Sequence, residues 1–594
     1  MKFYINKQVT RLFSVALFAS SLTACDDFLN IISLNDVVLE NYWTEEADVA
    51  SVVNSCYAQL ESGDCLKRML VWGEMRSDNL TTGAGAPQDI IRIAEENLLE
   101  TNGYAKWESF YQCINRCNTV IHYAPQVQAK DPNYTEAELK ANIAEATAIR
   151  SLCYFYLIRT FRNVPYVTEP SIDDTQNYQV PASGFDEVLA HIIADLEAVK
   201  NDAIRTYGEY SDDNMNRITR YAIYAMLADM YLWQGDYQRC IDYCDLIIDY
   251  KKEQYDDMLQ ESSSFIENVE LYGEFPLISE APYGSSYAGT AFTEIFGEGN
   301  SFESIFELNF VDSETRENLL TKEFYGAYNS TNVGQLAACP YLNAQVADGS
   351  NPYFKRTDCR VYENMSGEST VSIRKYVTAG VEFRTNTTTG SAPTVTEYTR
   401  SNNVGNWIIY RLTDVMLMKA EAEVQLAGNV GDGSSLTSEQ EARYRTAFSC
   451  VSAVWKRANN KRVATTDTLV FEDYGTSRLS MENLVLDERQ RELMFEGKRW
   501  FDLVRLCRRE GSNTRMLDKV MQKFSENTAA LRIRLSTPDA LYFPYHEDEL
   551  KANSYLVQNP AYEKEDTVLS FVTRGIDPSD WTAISEAKSN LMTL

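Results

Sequence analysis

The stretch YAMLADMYLWQGDYQRCIDYCDLII, residues 224–248, constrains the fold more than any other segment. Tyr224, Leu227, Ala228 and Tyr231 recur at i, i+3, i+4 and i+7, one face of a helix, and Cys240 and Cys244 share a face of a second helix. Gly235-Asp236 between them is a turn signal, and so short a connection obliges the two helices to pack antiparallel. Neither helix of such a unit buries its apolar face alone, so the pattern implies a stack of helix pairs. The same spacing makes the two cysteines core packing rather than half of a metal site.

The spacing resembles that of tetratricopeptide repeats, and a degenerate second pair is expected over residues 410–426 and 439–458. Further helices are expected over 35–60, 104–123 and 136–161, the last stopped by Asn163-Val164-Pro165. Residues 262–405 differ. They are rich in Ser, Thr, Gly, Asn and Tyr, with β-like runs over 304–310 and 371–377, and read as an irregular insertion on a helical scaffold. Binding functions usually sit on such segments. The expected fold is all-α: tetratricopeptide-like helix pairs with an irregular, loop-rich, ligand-facing half containing a few short strands.

Location is written at the start. Lys2, Lys7 and Arg11 precede the apolar run LFSVALFASSL, which is too short to span a bilayer and ends in small residues, as a secretory signal does. Leu22-Thr23-Ala24-Cys25 resembles a lipobox, in which Cys25 becomes the acylated N-terminus. The expected division is a signal peptide over 1–24, a helical region over 25–261, and a C-terminal region over 262–594 that holds the insertion 262–405 and helical signatures over 407–507. Formal charge is −31, and loss of the three cations before residue 25 leaves −34. Such a surface repels phosphate backbones and anionic bilayers, so no nucleic-acid partner is expected and the membrane is reached by a lipid anchor only. Tyrosine, at 37 positions, supplies flat apolar area with a polar tip, which suits recognition as well as cores.

Eleven cysteines follow Cys25 without any C-x-x-C pair, and the three histidines, His122, His191 and His546, are far apart, so no zinc site of standard spacing and no cofactor is indicated. No G-x-S-x-G, H-E-x-x-H or P-loop appears either, and no enzyme is expected. The charge-dense stretch ERQRELMFEGKRWFDLVR, residues 488–505, is the strongest alternative. Its Glu488, Glu492 and Glu496 lie four apart and stack along one helix side, whereas glycoside hydrolysis needs carboxyls facing each other at roughly 5–9.5 Å. Arg489 with Glu492, Glu496 with Arg499 and Lys498 with Asp502 are expected to pair along the helix, each exposed pair contributing about 0.3–0.5 kcal/mol. Leu493, Trp500 and Val504 form a core stripe, and Gly497 permits close approach of a neighbouring helix. Glu421 and Glu423 fall under the same argument. The stretch reads as scaffold.

The order of these motifs resembles the SusD/RagB family of outer-membrane nutrient-uptake lipoproteins. WESFYQCINRCNTVI (107–121) is similar to the family's W-x-x-x-Y-x-x-I-x-x-x-N helix through Trp107, Tyr111, Ile114 and Asn118. AEATAIRSLCYFYLIRTFRNVPYV (144–167) resembles the next signature, departing at Ser151 and at Arg162-Asn163, where the family has glycine. IIYRLTDVMLMKAEAEVQLAG, the 488–505 stretch and FPYHEDELKANSYLVQNPAY (543–562) match three more. The resemblance implies four tetratricopeptide-like helix pairs and a SusC-like TonB-dependent barrel as partner, capped by a lid that captures oligosaccharide or, in some members, peptide. It also implies a lipid-anchored position at the outer membrane, facing outward. The ligand site is then expected on first-half loops carrying Arg76, Asp78, Asn79, Arg92, Asn102 and Tyr104, together with Tyr283, Tyr287, Tyr325, Tyr328 and Tyr341 of the insertion.

Overall fold

The computed structural model describes residues 42–563 except 173–177, 210, 262–267, 281–289, 314–315, 327–333, 347–349, 356, 367–370, 385–393, 401, 430–434 and 460–467. Cys25 and the signal segment therefore lie outside the described residues. The frame is built from ten longer helices: α1 (Glu46–Leu60), α2 (Glu108–Gln128), α3 (Glu136–Phe161), α4 (Phe185–Val199), α5 (Arg220–Gln234), α6 (Tyr237–Glu261), α7 (Leu412–Ala427), α8 (Ser438–Asn459), α9 (Arg478–Leu493) and α10 (Arg499–Glu510). Helices α2/α3, α5/α6 and α7/α8 pack as consecutive pairs, α4 bridges α3 and α5, α6 packs on α7, and α9 closes over α7 and α8. Among the described residues no helix is long and apolar enough to cross a membrane.

The pair that carries the sequence pattern forms for local reasons. The Thr219 side chain accepts from the Ala222 amide at the start of α5, and Gly235 ends that helix at φ +86°, a left-handed conformation that costs glycine least. Leu227, Ala228, Tyr231, Cys240 and Cys244 are all fully buried, as their spacing requires. All eleven cysteines from Cys56 to Cys507 are free and buried.

Helix α3 spans the expected 136–161 and starts on a Thr135/Glu138 capping box. It ends where the sequence departs from glycine. Arg162 sits at φ +69°, ψ −61°, and the Asn163 amide donates to the Phe161 carbonyl at 2.9 Å, a tight turn that is strained for a residue with a side chain. The Arg162–Asp539 ion pair at 2.7 Å, partly open to solvent, holds it there. Strain of about 1–3 kcal/mol outweighs a pair worth about 0–1 kcal/mol. Glycine's entropic cost of about 0.5–1 kcal/mol narrows the margin. Arg162→Gly is therefore expected to hold or raise the melting temperature in differential scanning fluorimetry; a clear fall would show that the ion pair outweighs the strain.

Three expectations need correction. The helix expected over 35–60 runs, among the described residues, only from Glu46 to Leu60, because Glu45 is extended and caps it. The helix expected over 104–123 starts at Glu108, because Lys106 is extended and Gly103–Ala105 forms a separate 3-10 turn. The strand expected over 371–377 shrinks to Ser372–Ile373, since Tyr376 at φ +69° turns the chain. The strands observed are short and antiparallel in pairs. β1 (Leu80–Thr82) pairs with β3 (Leu336–Ala338), and β2 (Ser304–Leu308) pairs with β6 (Trp407–Arg411), while β4 (Thr378–Arg384) and β5 (Thr394–Thr399) form a hairpin. The first two pairings tie the middle of the insertion to the first half of the chain and to the segment leading into α7.

Candidate functional site

The stretch 488–505 is not one helix. Met494 is extended, Phe495 and Gly497 have φ of +67° and +73°, and the chain divides into α9 and α10. The break separates Glu496 from Arg499, and all three expected pairs give way to partners from other elements. Glu492 is held by Arg411 at 2.7 Å, Arg360 at 3.0 Å and Arg457. Glu496 pairs with Arg411 and Lys375, both at 2.7 Å. Arg489 bridges Asp414 and Asp502 at 2.9 Å each, Lys498 reaches Asp414 at 2.7 Å, and Arg505 meets Glu421 at 2.6 Å. Nearly all of these groups are buried, so they form a continuous ionic spine rather than a set of exposed pairs. Burial pushes the Glu492 carboxyl up, but Arg457, Arg411 and Arg360 overcome it and hold the group well below the usual range. Lys498 and Arg489 likewise bring Asp414 down to about 2 against its burial. Carboxylates matched so closely to guanidinium and ammonium groups are poor proton donors at neutral pH, which fits scaffold chemistry better than acid–base work.

The spine takes in residues the sequence placed at the ligand site. Asp78 accepts from Arg499 at 2.8 and 2.9 Å, a two-pronged pair, and also from Gln490. Arg76 donates to Glu96 and to the Ala540 and Leu541 carbonyls, and lies 4.4 Å over the Trp500 ring. Asn79 donates to Glu74 at 2.7 Å; Glu74 in turn accepts the amides of Phe495, Lys498 and Arg499 and so caps α10 from across the fold. The Tyr325 hydroxyl donates to the Phe495 carbonyl at 2.7 Å. Arg76, Asp78, Asn79, Asn102 and Tyr325 are all buried, with their polar atoms engaged inside the protein, so they present no surface to a ligand. The sequence could not separate them from contact residues, because their burial is set by packing against segments up to 465 positions away.

Three expected residues remain partly open. Asn102 accepts from the Tyr104 amide and donates to the Asp89 carbonyl, shaping the turn that presents Tyr104. That ring lies 6.4 Å from Phe324, under the Arg68 guanidinium. Burial pushes the Tyr104 hydroxyl up to about 12, so it stays a hydrogen-bond donor. Arg92 is half-buried on the helix Gln88–Ala94. Tyr341 is half-buried, donating to the Asp78 carbonyl at 2.7 Å beside Tyr353. Tyr283, Tyr287 and Tyr328 lie outside the described residues.

A cleft of about 610 Å³ that the sequence did not single out opens between the start of α2, residues 165–171 with 178–180, and the helix Glu547–Ala552. Trp107, Tyr111, Tyr178 and Leu556 supply its apolar walls. Its walls come from three segments far apart in the chain, which no local spacing reveals. Glu280, Cys359 and Glu363, all buried, bring oxygen and sulfur atoms within 4.8 Å of one another; this grouping is likewise invisible to C-x-x-C counting.

Two family profiles match in chain order: one described as starch-binding and associating with the outer membrane over residues 27–232, and that of the SusD family over residues 294–562. The chain belongs to the SusD/RagB family. Two SusD-like proteins of Formosa agariphila are each 22% identical to it, over 518 residues (85% of this chain, 92% of that protein) and 583 residues (91% and 96%). Among solved structures, a SusD superfamily protein from Bacteroides vulgatus superposes with a TM-score of 0.61 at 17% identity, covering 88% of this chain and 100% of the other. A laminarin-binding SusD-like protein gives 0.57 at 19%, with coverage of 88% and 100%. These likenesses establish a SusD-type fold, and the family is one of nutrient-binding proteins of the outer membrane.

Proposed function

We propose that this SusD/RagB-family protein is acylated at Cys25, faces the extracellular side of the outer membrane, and captures an oligosaccharide for a SusC-like TonB-dependent barrel. The observation that carries the reading is the ordered pair of family matches, 27–232 and 294–562, directly behind Leu22-Thr23-Ala24-Cys25. A glycan is favoured over a peptide because one protein of the same fold is described as laminarin-binding. Tyrosine rings suit the C–H faces of sugars, and the half-open Tyr104 stands beside Phe324 of the insertion.

Calorimetry of the purified protein against a panel of polysaccharides and peptides tests the reading. Glycan binding is expected, weakened by Tyr283→Ala and by Tyr328→Ala by roughly 0.5–1.5 kcal/mol each, with the melting temperature little changed. Binding of peptides alone would replace the glycan. Unaltered affinity in both variants would move the site elsewhere. Co-purification of a TonB-dependent barrel from outer membranes tests the partner separately.

A further inference from the structure

A second cleft, of about 280 Å³, lies between α5, α6 and the segment leading into β2 and shares no lining residue with the first. Its floor holds Lys251, only 5% exposed. Among the described residues no carboxylate, carbonyl or hydroxyl accepts from its ammonium group, whose nearest aromatic faces are Phe302 at 5.1 Å and Tyr250 at 5.8 Å. An ammonium group has three donors, and leaving them unmade inside a protein is costly. The nearest acids, Glu303 and Glu307, make no hydrogen bond to it: Glu303 gives one oxygen to Arg457 and the Ile278 amide and keeps its Oε2 unpartnered, and Glu307 accepts from Asn300, Ser304 and Asn406. Beside Lys251, the Oε1 atom of Gln254 is buried without a hydrogen-bond partner, its amide nitrogen being spent on the Tyr250 hydroxyl. The walls are flat and aromatic. Tyr221 and Tyr250 stack at 3.6 Å with 10° between their planes, and Arg205 fixes Tyr221 by donating to its hydroxyl at 3.1 Å.

An unsatisfied cation, an unsatisfied acceptor and an aromatic wall in one small cleft specify a complementary molecule. It carries an anion for Lys251, a hydroxyl for Gln254 and an apolar ring face for Tyr221, Tyr250 and Phe302. The volume is just below the usual 300–1,000 Å³ of small-molecule pockets, which limits the occupant to about one ring. We propose that this cleft binds a single acidic sugar unit, a pyranose ring bearing a carboxylate, with Lys251 pairing the carboxylate and Gln254 accepting from a ring hydroxyl. A charge-assisted ammonium–carboxylate bond is about twice as strong as a neutral one, and it forms here where water is scarce. The chain's overall negative charge opposes approach but is screened beyond about 8 Å at physiological ionic strength. None of its lining residues belongs to the ligand set of the import reading, and the two fail independently.

The test uses sodium glucuronate and glucose as probes, titrated into the purified protein by calorimetry. Glucuronate is expected to bind about tenfold or more tighter than glucose, the discrimination one charge-assisted hydrogen bond confers. Lys251→Met, which removes the charge and keeps most of the side chain's length, is expected to abolish that preference. The pH dependence supplies a second readout. Burial lowers the Lys251 ammonium to about 8, with Glu303 and Glu307 pulling it back up; Glu209, Asp212 and Arg205 line the mouth. The preference for glucuronate should therefore fade as the pH rises through and beyond that value, because the ammonium is lost while the sugar carboxylate stays ionised. Equal affinity for the two sugars in the unaltered protein, or no glucuronate binding, overturns the proposal whether or not the variant folds. So does glucuronate binding that survives Lys251→Met.

Discussion

Glu492→Gln is expected to cost about 3–5 kcal/mol of stability, the range for breaking a buried ion pair by removing one partner. The carboxylate touches Arg360, Arg411 and Arg457 at once, and all four side chains are at least nine-tenths buried. Glutamine matches the shape but turns one acceptor into a donor facing guanidinium groups, so the three cations keep their desolvation cost and lose their shared anion. Chemical denaturation checks the magnitude. The contrast is Glu441→Gln, which removes an i, i+4 pair with the exposed Arg445 and is expected to leave the unfolding curve close to that of the parent protein. Similar curves for both variants would mean that water reaches the spine, and the account of it as a buried network would fail.

Gly73→Ala carries the second large effect. A Cβ at Gly73 would sit 1.8 Å from the Gly497 carbonyl oxygen and 2.6 Å from its carbon, and both contacts are backbone. No rotamer relieves them. The turn Val71–Met75 would have to move away from the loop between α9 and α10, taking with it the Glu74 carboxylate that caps α10. A loss of about 3 kcal/mol is expected, the upper end of overpacking costs. It is measured as the shift in denaturation midpoint against Gly85→Ala, where an added Cβ meets nothing within 4 Å. If the two alanine variants unfold together, the close approach of these two turns does not bear on stability.

Both variants bear on how far the sequence could be read. Gly497 was legible as a point of close approach, but Gly73, the other half of that contact, lies 424 positions earlier, and no periodicity links them. The charges of 488–505 were legible as scaffold rather than active site, since carboxylates four apart on one helix cannot face one another. Their partners were not. Of the expected pairs only Glu496 with Arg499 spans the break at Phe495 and Gly497; Arg489 and Glu492 share α9 and still turn to partners that folding brings from elsewhere. Lys251 shows the same division. Cys244, Ile247 and Lys251 recur at helical spacing on the buried face of α6, so a cation on an apolar stripe was there to be seen. That it meets an aromatic cleft instead of an acid depends on how β2 and the start of α5 pack against it.

By itself, then, the sequence determined the helix-pair frame, the stop of α3 before Asn163-Val164-Pro165, and the order of motifs that marks the family. Each of these rests on spacings of a few residues, where backbone geometry alone decides what shares a face. Only the tertiary structure decided which of Arg76, Asp78, Asn79, Arg92, Asn102 and Tyr104 reach the surface and which are locked in the spine. Burial is a property of the whole packed chain, and the energy of a buried charge depends on partners that folding brings from far away.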